Sequence, residues 1–281
     1  EYKHYKKYKT RLQKTHKVNA NKLSLYDNLI NNGFIKIEDN ASYQIEIIAK
    51  DFKKNTATIK IPVRGVQSNL VFKQKDTTNY KIIASNFSKF NQKNVTVAFP
   101  KNTFYNDCFI DFKVDNGVAT IHNPTIPLDK RYTLTFQTSH LNETQKQQAY
   151  IANINNTKYP RYTTTKKKLN KVYTTTKLLG KYALRFDTKK PTIQLYNFKD
   201  KQWISKNNTL KVKIKDIGSG IKNYYATLDN SWILMEHNHK NGILTYDFSD
   251  KKLIGSKHTF KIIVTDNVGN STTITRTFFK K

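Results

Sequence analysis

The chain has 281 residues, 50 Lys and Arg against 20 Asp and Glu, a formal net charge of +30, and one cysteine. That length supports two to three domains, the lone cysteine excludes intrachain disulfides, and no apolar run approaches the ~20 residues of a membrane span. With 9 Gly, 6 Pro and no long Ala/Leu/Glu runs, the composition argues against a helical solenoid or a disordered tail, while 17 Tyr and 16 Phe can build cores.

The positive charge is almost all Lys, and it rises together with Asn, Ile, Tyr and Phe, as an AT-rich coding sequence dictates. Arg, whose planar fork suits phosphates and bases, is scarce, which speaks against a nucleic-acid partner. The partner class left open is an anionic polymer or surface, such as cell-wall carboxylates.

In chain order, residues 1–66 begin with a basic, polar stretch in which Tyr2, Tyr5 and Tyr8 recur every third position, with Leu12 beyond. It reads either as a short amphipathic helix or as the irregular remains of a long loop. Strands are expected at 34–37, 43–50 and 56–63, with Pro62 and Gly65 ending the unit. Residues 67–187 give short strands at 70–73, 80–84, 94–99, 109–114, 119–122, 132–137, 148–154, 159–164, 172–176 and 182–186. Turn signals such as Asn116-Gly117 and His122-Asn123-Pro124 separate them, the spacing of a sandwich. Residues 188–281 give seven strands, at 192–196, 210–214, 224–228, 231–235, 243–248, 258–265 and 271–278. Asp229-Asn230 reads as a tight hairpin turn, and Gly218 and Gly220 permit positive φ in the 216–221 turn. The expected fold class is all-β, as tandem immunoglobulin-like or fibronectin-like β-sandwiches.

One hairpin pattern occurs twice. Residues 43–59 and 258–274 align without a gap, placing Asp51 on Asp266, Asn55 on Asn270 and Ile59 on Ile274. Each is an alternating apolar run, a polar turn and a Thr-rich return. The second copy would close a sandwich as its last hairpin. If the first does the same, its sandwich needs roughly 100 residues, more than precede it, and residue 1 is Glu. The first sandwich is therefore expected to be truncated at its N-terminus, in the C-terminal part of a longer protein.

Few residues carry a chemical signal. Cys108, flanked by Tyr105, Phe109 and Phe112, reads as a buried structural thiol. His237-Asn238-His239 has the spacing that presents two imidazoles to zinc, but it sits beside Glu236 and Lys240-Asn241-Gly242 as an exposed hairpin tip without further ligands. His237 and His239 are therefore not assigned to a metal. Asp216 and Asp266 each precede a Gly-containing turn and could bind calcium or act as acid and base. Because Asp51 repeats the Asp266 position, the better reading is an Asx-turn cap. Between Glu143 and Asp187 no acidic residue occurs, while Lys158, Arg161, Lys166, Lys167, Lys168, Lys171 and Lys177 do, interleaved with Tyr159, Tyr162 and Tyr173. This is the candidate polyanion-binding surface, with Lys166, Lys167 and Lys168 expected in the loop of a solvated hairpin. Phosphate-loop, dinucleotide-loop, nucleophile-elbow and C-x-x-C motifs are absent, so no catalytic residue is named.

The third unit reads D-T-K-K-P-T-I at 187–193, L-K-V-K-I-K-D-I-G-S-G-I-K at 210–222 and V-T-D-N-V-G-N-S-T at 264–272. Together with V-A-F-P-K-N-T-F-Y-N-D at 97–107, Y-T-T-T-K-L-L-G-K-Y-A-L at 173–184 and Y-D-N-L-I-N-N-G-F at 26–34, it resembles the C-terminal region of the lysostaphin-like (LytM-type) zinc peptidases of Bacteroidetes-type bacteria. That family cleaves peptidoglycan cross-bridges with zinc held by H-x-x-x-D and H-x-H motifs. No H-x-x-x-D occurs here, and His237-x-His239 lies inside an immunoglobulin-like unit where the family has no ligands, so no catalytic residue carries over. The resemblance implies a non-catalytic tail in the cell envelope, periplasmic or outer-surface, with no cofactor of its own. It implies a zinc-bearing peptidase domain upstream as partner, with peptidoglycan or another anionic envelope polymer as a possible second. The rival reading is a free-standing adhesin or carbohydrate-binding sandwich array.

Overall fold

The computed structural model describes residues 2–12, 15–17, 24–67 and 77–281. The strand expected at 70–73 lies outside the described residues. The chain opens with a short helix, α1 (Tyr2–Tyr8), and then forms the hairpin of β1 (Ser42–Lys50) and β2 (Thr56–Arg64). The register is straight, from Ser42 opposite Arg64 to Lys50 opposite Thr56. Residues 34–37 are not a strand: among the described residues they join no sheet ladder. Pro62 does not end β2; it sits inside it, opposite Gln44, which the lone two-stranded sheet tolerates because every strand is an edge.

The second body contains β3 (Tyr80–Ile82), β4 (Ser88–Gln92), β5 (Val95–Phe99), β6 (Cys108–Ile110), β7 (Phe112–Asp115), β8 (Val118–Ile121) and β9 (Tyr132–Gln137). After α2 (Glu143–Gln148) come β10 (Ala149–Asn153), β11 (Arg161–Tyr162), β12 (Lys166–Lys168), β13 (Lys171–Thr176) and β14 (Gly180–Phe186). Two five-stranded sheets, β11-β10-β14-β8-β7 and β12-β13-β9-β5-β4, face each other, and β3 pairs with β6 at the side. Alternation places the core: β5 buries Val95, Val97 and Phe99 while Thr96 and Ala98 point outward. These meet Phe112, Ile121, Ile151 and Tyr182 of the opposite sheet. Helix α2 starts on a reciprocal capping box, Asn142 accepting from the Gln145 amide and Gln145 accepting from the Asn142 amide.

The third body contains β15 (Thr192–Leu195), β16 (Gln202–Trp203), β17 (Thr209–Lys215), β18 (Ile221–Leu228), β19 (Ser231–Ile233), β20 (Glu236–Asn238), β21 (Ile243–Asp247), β22 (Lys257–Asp266) and β23 (Ser271–Phe279). Sheet β15-β17-β21-β20 packs on sheet β16-β23-β22-β18-β19. The first strand splits: β15 pairs antiparallel with β17, while β16 crosses over to pair parallel with β23. This is the strand arrangement of an immunoglobulin-like sandwich. Leu210, Val212, Leu244 and Tyr246 meet Phe260, Ile262, Val264 and Phe278 across the core. Asp229 and Asn230 both have positive φ, 48° and 63°, the primed hairpin turn their sequence indicates. The molecule is thus all-β, with tandem immunoglobulin-like or fibronectin-like sandwiches.

Candidate functional site

A network of polar groups lies where the second sandwich meets the third. Asp187 follows β14, and its amide donates to the Gln148 carbonyl at 2.9 Å, so its backbone still belongs to the second sandwich. Its carboxylate faces the third. Oδ2 accepts from the Ser219 amide at 2.6 Å and Oδ1 from the Lys189 amide at 3.2 Å. A Cβ on Gly218 would lie 2.2 Å from the Asp187 carboxyl carbon, so only glycine lets the two approach.

Two turns of the third sandwich complete the site. In the turn after β17, Asp216 Oδ2 accepts from the amides of Gly218 and Gly220 at 3.1 and 2.7 Å. In the β22–β23 turn, Asp266 Oδ1 accepts from the amides of Val268, Gly269 and Asn270 at 2.9, 2.7 and 2.8 Å. Both aspartates therefore cap their turns, as the repeat of Asp51 indicates. Asn267 Nδ2 ties one turn to the other through the Ser219 and Gly220 carbonyls at 2.9 and 3.0 Å. Asn270 Nδ2 reaches the Asp187 carbonyl at 3.2 Å. Beside them Val268 packs against Tyr150, Ala152, Ile154 and Ala183 on the outer face of the second sandwich.

The result is a three-carboxylate cluster. One oxygen each of Asp187, Asp216 and Asp266 lies within 4.8 Å of the others. Asp187 and Asp266 are buried. Burial, then the charges of Asp187 and Asp266, push the Asp216 carboxyl above the usual aspartate value. Among the described residues no Lys, Arg or His forms an ion pair with any of the three. Sequence reasoning weighed Asp216 and Asp266 but missed Asp187. The local signal available was only an Asp at the end of a strand, just before Lys189-Lys190-Pro191.

The basic stretch is divided by the fold. Lys166, Lys167 and Lys168 form the edge strand β12 instead of a loop, and Leu169 and Asn170 make the turn. Lysine on an edge strand deters further strand pairing. Pairing sorts the side chains: Lys167 sits opposite inward-facing Val172, and its Nζ donates to the Gln147 carbonyl. Burial lowers its pKa, with Asp266 acting in the other direction. Lys166 and Lys168 share the other face with Tyr173 and Lys171. Lys158 and Arg161 belong to the β10–β11 edge of the opposite sheet, and the Lys158 ammonium sits 5.5 Å from the Tyr159 ring centroid. Lys177 lies past the far end of β13. Lys158, Arg161, Lys166, Lys168 and Lys171 thus line one sandwich edge, while exposed Lys167 is engaged by the Gln147 carbonyl and Lys177 is remote.

His237 is not at a hairpin tip; it is half-buried in β20, while exposed His239 follows in the turn. Their ring centroids are 4.1 Å apart. They line a groove of about 640 Å³ with Lys213, Lys222, Lys240 and Asp216. Burial, then His239, lowers the His237 pKa. The aspartate cluster is the only group of three or more potential metal-ligating side chains gathered among the described residues, and neither histidine belongs to it. Cys108 is half-buried in β6, and burial, then Asp107, pushes its thiol up to about 11, far from a nucleophile's range at neutral pH.

Residues 79–187 match the family model of the Zu5-like domain. No curated protein matches the sequence. Among solved structures, the endo-β-1,4-mannanase from Thermotoga petrophila is similar at 14% identity over 34% of this chain and 20% of that one, with a TM-score of 0.29. The fibronectin(III)-like modules of Clostridium thermocellum CbhA are similar at 12% identity over 54% of this chain and 86% of theirs, with a TM-score of 0.27. The chain thus spans one fifth of the mannanase's length.

Proposed function

We propose that this chain is a non-catalytic arm of β-sandwich modules belonging to a peptidoglycan metallopeptidase of the cell envelope, positioning an upstream zinc-bearing domain against the wall. The observation that carries the reading is the built junction. Val268 inserts against Tyr150, Ala152, Ile154 and Ala183, and Asp187 reaches from one sandwich into a turn of the next. An arm fastened in this way holds a direction, which a loose tether does not. The zinc-peptidase resemblance of the sequence supplies the parent. The edge lined by Lys158, Arg161, Lys166, Lys168 and Lys171 supplies a surface for an anionic polymer.

Co-sedimentation of the full chain with purified peptidoglycan sacculi tests this. Exposed charges are screened over about 8 Å at physiological salt, so the bound fraction should fall steeply as salt rises. It should fall again in the variant Lys166→Gln/Lys168→Gln/Lys171→Gln. No muropeptides should appear, with or without zinc. Muropeptide release that a chelator abolishes would refute the non-catalytic reading. Binding indifferent to salt and to the three substitutions would remove the basic edge from it.

A further inference from the structure

We infer that Asp187, Asp216 and Asp266 hold one divalent cation, calcium by its chemistry, which ties the second sandwich to the third. The first observation is geometric: three carboxylate oxygens from three separate segments lie within 4.8 Å of one another. Any two oxygens about 2.4 Å from one ion lie no more than about 4.8 Å apart, and every pair among these three meets that bound. The second observation adds a group outside the three carboxylates. Two side-chain oxygens of the intervening turn are shut off from solvent without any hydrogen-bond partner, Asp216 Oδ1 and Ser219 Oγ. Ser219 is only 1% exposed, and its amide already rests on Asp187. A buried polar oxygen left unpaired destabilises the fold, and a cation bound beside it would relieve that cost.

Charge points the same way. The protein carries 50 Lys and Arg, yet among the described residues none forms an ion pair with any of these carboxylates. Lys167, whose charge acts on Asp266, is engaged by the Gln147 carbonyl. Backbone amides donate to each carboxylate, and a cation would neutralise the like charge that those dipoles leave. The side chains are all hard oxygen donors, with no imidazole or thiolate among them. That set suits calcium over zinc, and carboxylates brought together from separate segments suit calcium's flexible shell better than magnesium's rigid octahedron. Asp51 provides the contrast: it makes the same turn cap with Asn55, exposed and outside any such cluster.

The test uses the full chain freed of metal, so it reads the ion and not wall binding, and its outcome is separate from that of the sacculus experiment. Terbium should bind and luminesce by energy transfer from Tyr150, whose hydroxyl lies 3.5 Å from the Gly218 carbonyl. Calcium should displace it with half-saturation on the order of 10⁻⁴–10⁻³ M, the range of extracellular calcium modules. Calcium should also raise Tm. Asp216→Asn should abolish both responses while leaving the metal-free chain at least as stable as the parent, because it removes like-charge repulsion. Asp51→Asn should keep both responses in full. An unchanged Tm in about 10 mM calcium, well above that affinity range, overturns the site. So does an undiminished calcium response in Asp216→Asn, and equal displacement by magnesium overturns the choice of ion.

Discussion

The β1–β2 and β22–β23 hairpins are written in one pattern and built with one turn, yet they occupy opposite situations. Asp51 accepts the Asn55 amide at 2.9 Å and its Nδ2 at 2.8 Å; Asp266 accepts the Asn270 amide at 2.8 Å and its Nδ2 at 2.7 Å. Both turns close with a backbone bond of 3.0 Å. Around them everything differs. Ile262 and Val264 lie in a core, whereas their counterparts Ile47 and Ala49 are exposed. Val268 is docked on the neighbouring sandwich, whereas its counterpart is Lys53. Local sequence therefore makes the turn, and the surroundings decide whether the same turn is a solvated tip or a joint.

The sharpest way to test that contrast is to truncate matching core positions. Ile262 is 0% exposed, and Ile262→Ala should cost about 2–5 kcal/mol. Ile47 is 50% exposed, and Ile47→Ala should cost about 1 kcal/mol or less. Urea unfolding of the two variants measures both, and equal losses would mean that β1–β2 packs as tightly as β22–β23.

The next effect concerns the joint. Val268→Lys installs the residue that the first hairpin carries at that point. It should weaken the coupling between the two sandwiches by about 1–2 kcal/mol, separating their transitions in calorimetry. The converse, Lys53→Val, should leave the thermogram unchanged. A single unaltered transition in Val268→Lys would show that Val268 does not couple them.

The smallest effect is in pH, and here the two regions have opposite signs. Burial raises the Asp216 carboxyl above its ordinary pKa of 3.8. In metal-free buffer its favourable contribution is therefore complete below that value and lost as pH rises through the raised pKa. Asp51 is lowered by its bonds to the Asn55 side chain and amide, so its contribution holds above 3.8 and is lost as pH falls through the lowered pKa. Asp216→Asn should flatten the first slope and Asp51→Asn the second, in stability measured against pH at constant ionic strength. Slopes of the same sign would break the distinction.

The hairpins were legible because period-two alternation and an Asp…Asn turn are local signals, and β9 falls at 132–137, where the alternation places it. The turn at Asp229-Asn230 was legible for the same reason. Missed elements lacked that periodicity. The short strands β16 and β20 are held by neighbours, not by pattern, and β12 consists of three lysines that read as loop. The opposite error at 34–37 came from an apolar run that finds no partner strand. The aspartate cluster was legible only as two turn caps. Asp187 joins them through a docking of sandwiches that no short window of sequence encodes.

The split first strand of the third sandwich has a mechanical consequence. Strand β16 runs parallel to β23, with the Lys201 amide on the Thr277 carbonyl and the Ile204 amide on the Phe279 carbonyl. Tension transmitted along the chain pulls β16 and β23 in opposite directions along their shared axis. The hydrogen bonds between them are then sheared together instead of being unzipped one at a time. Lys280 Nζ adds a clasp on the Ser205 and Asn207 carbonyls. Under load, these bonds resist together and not in sequence.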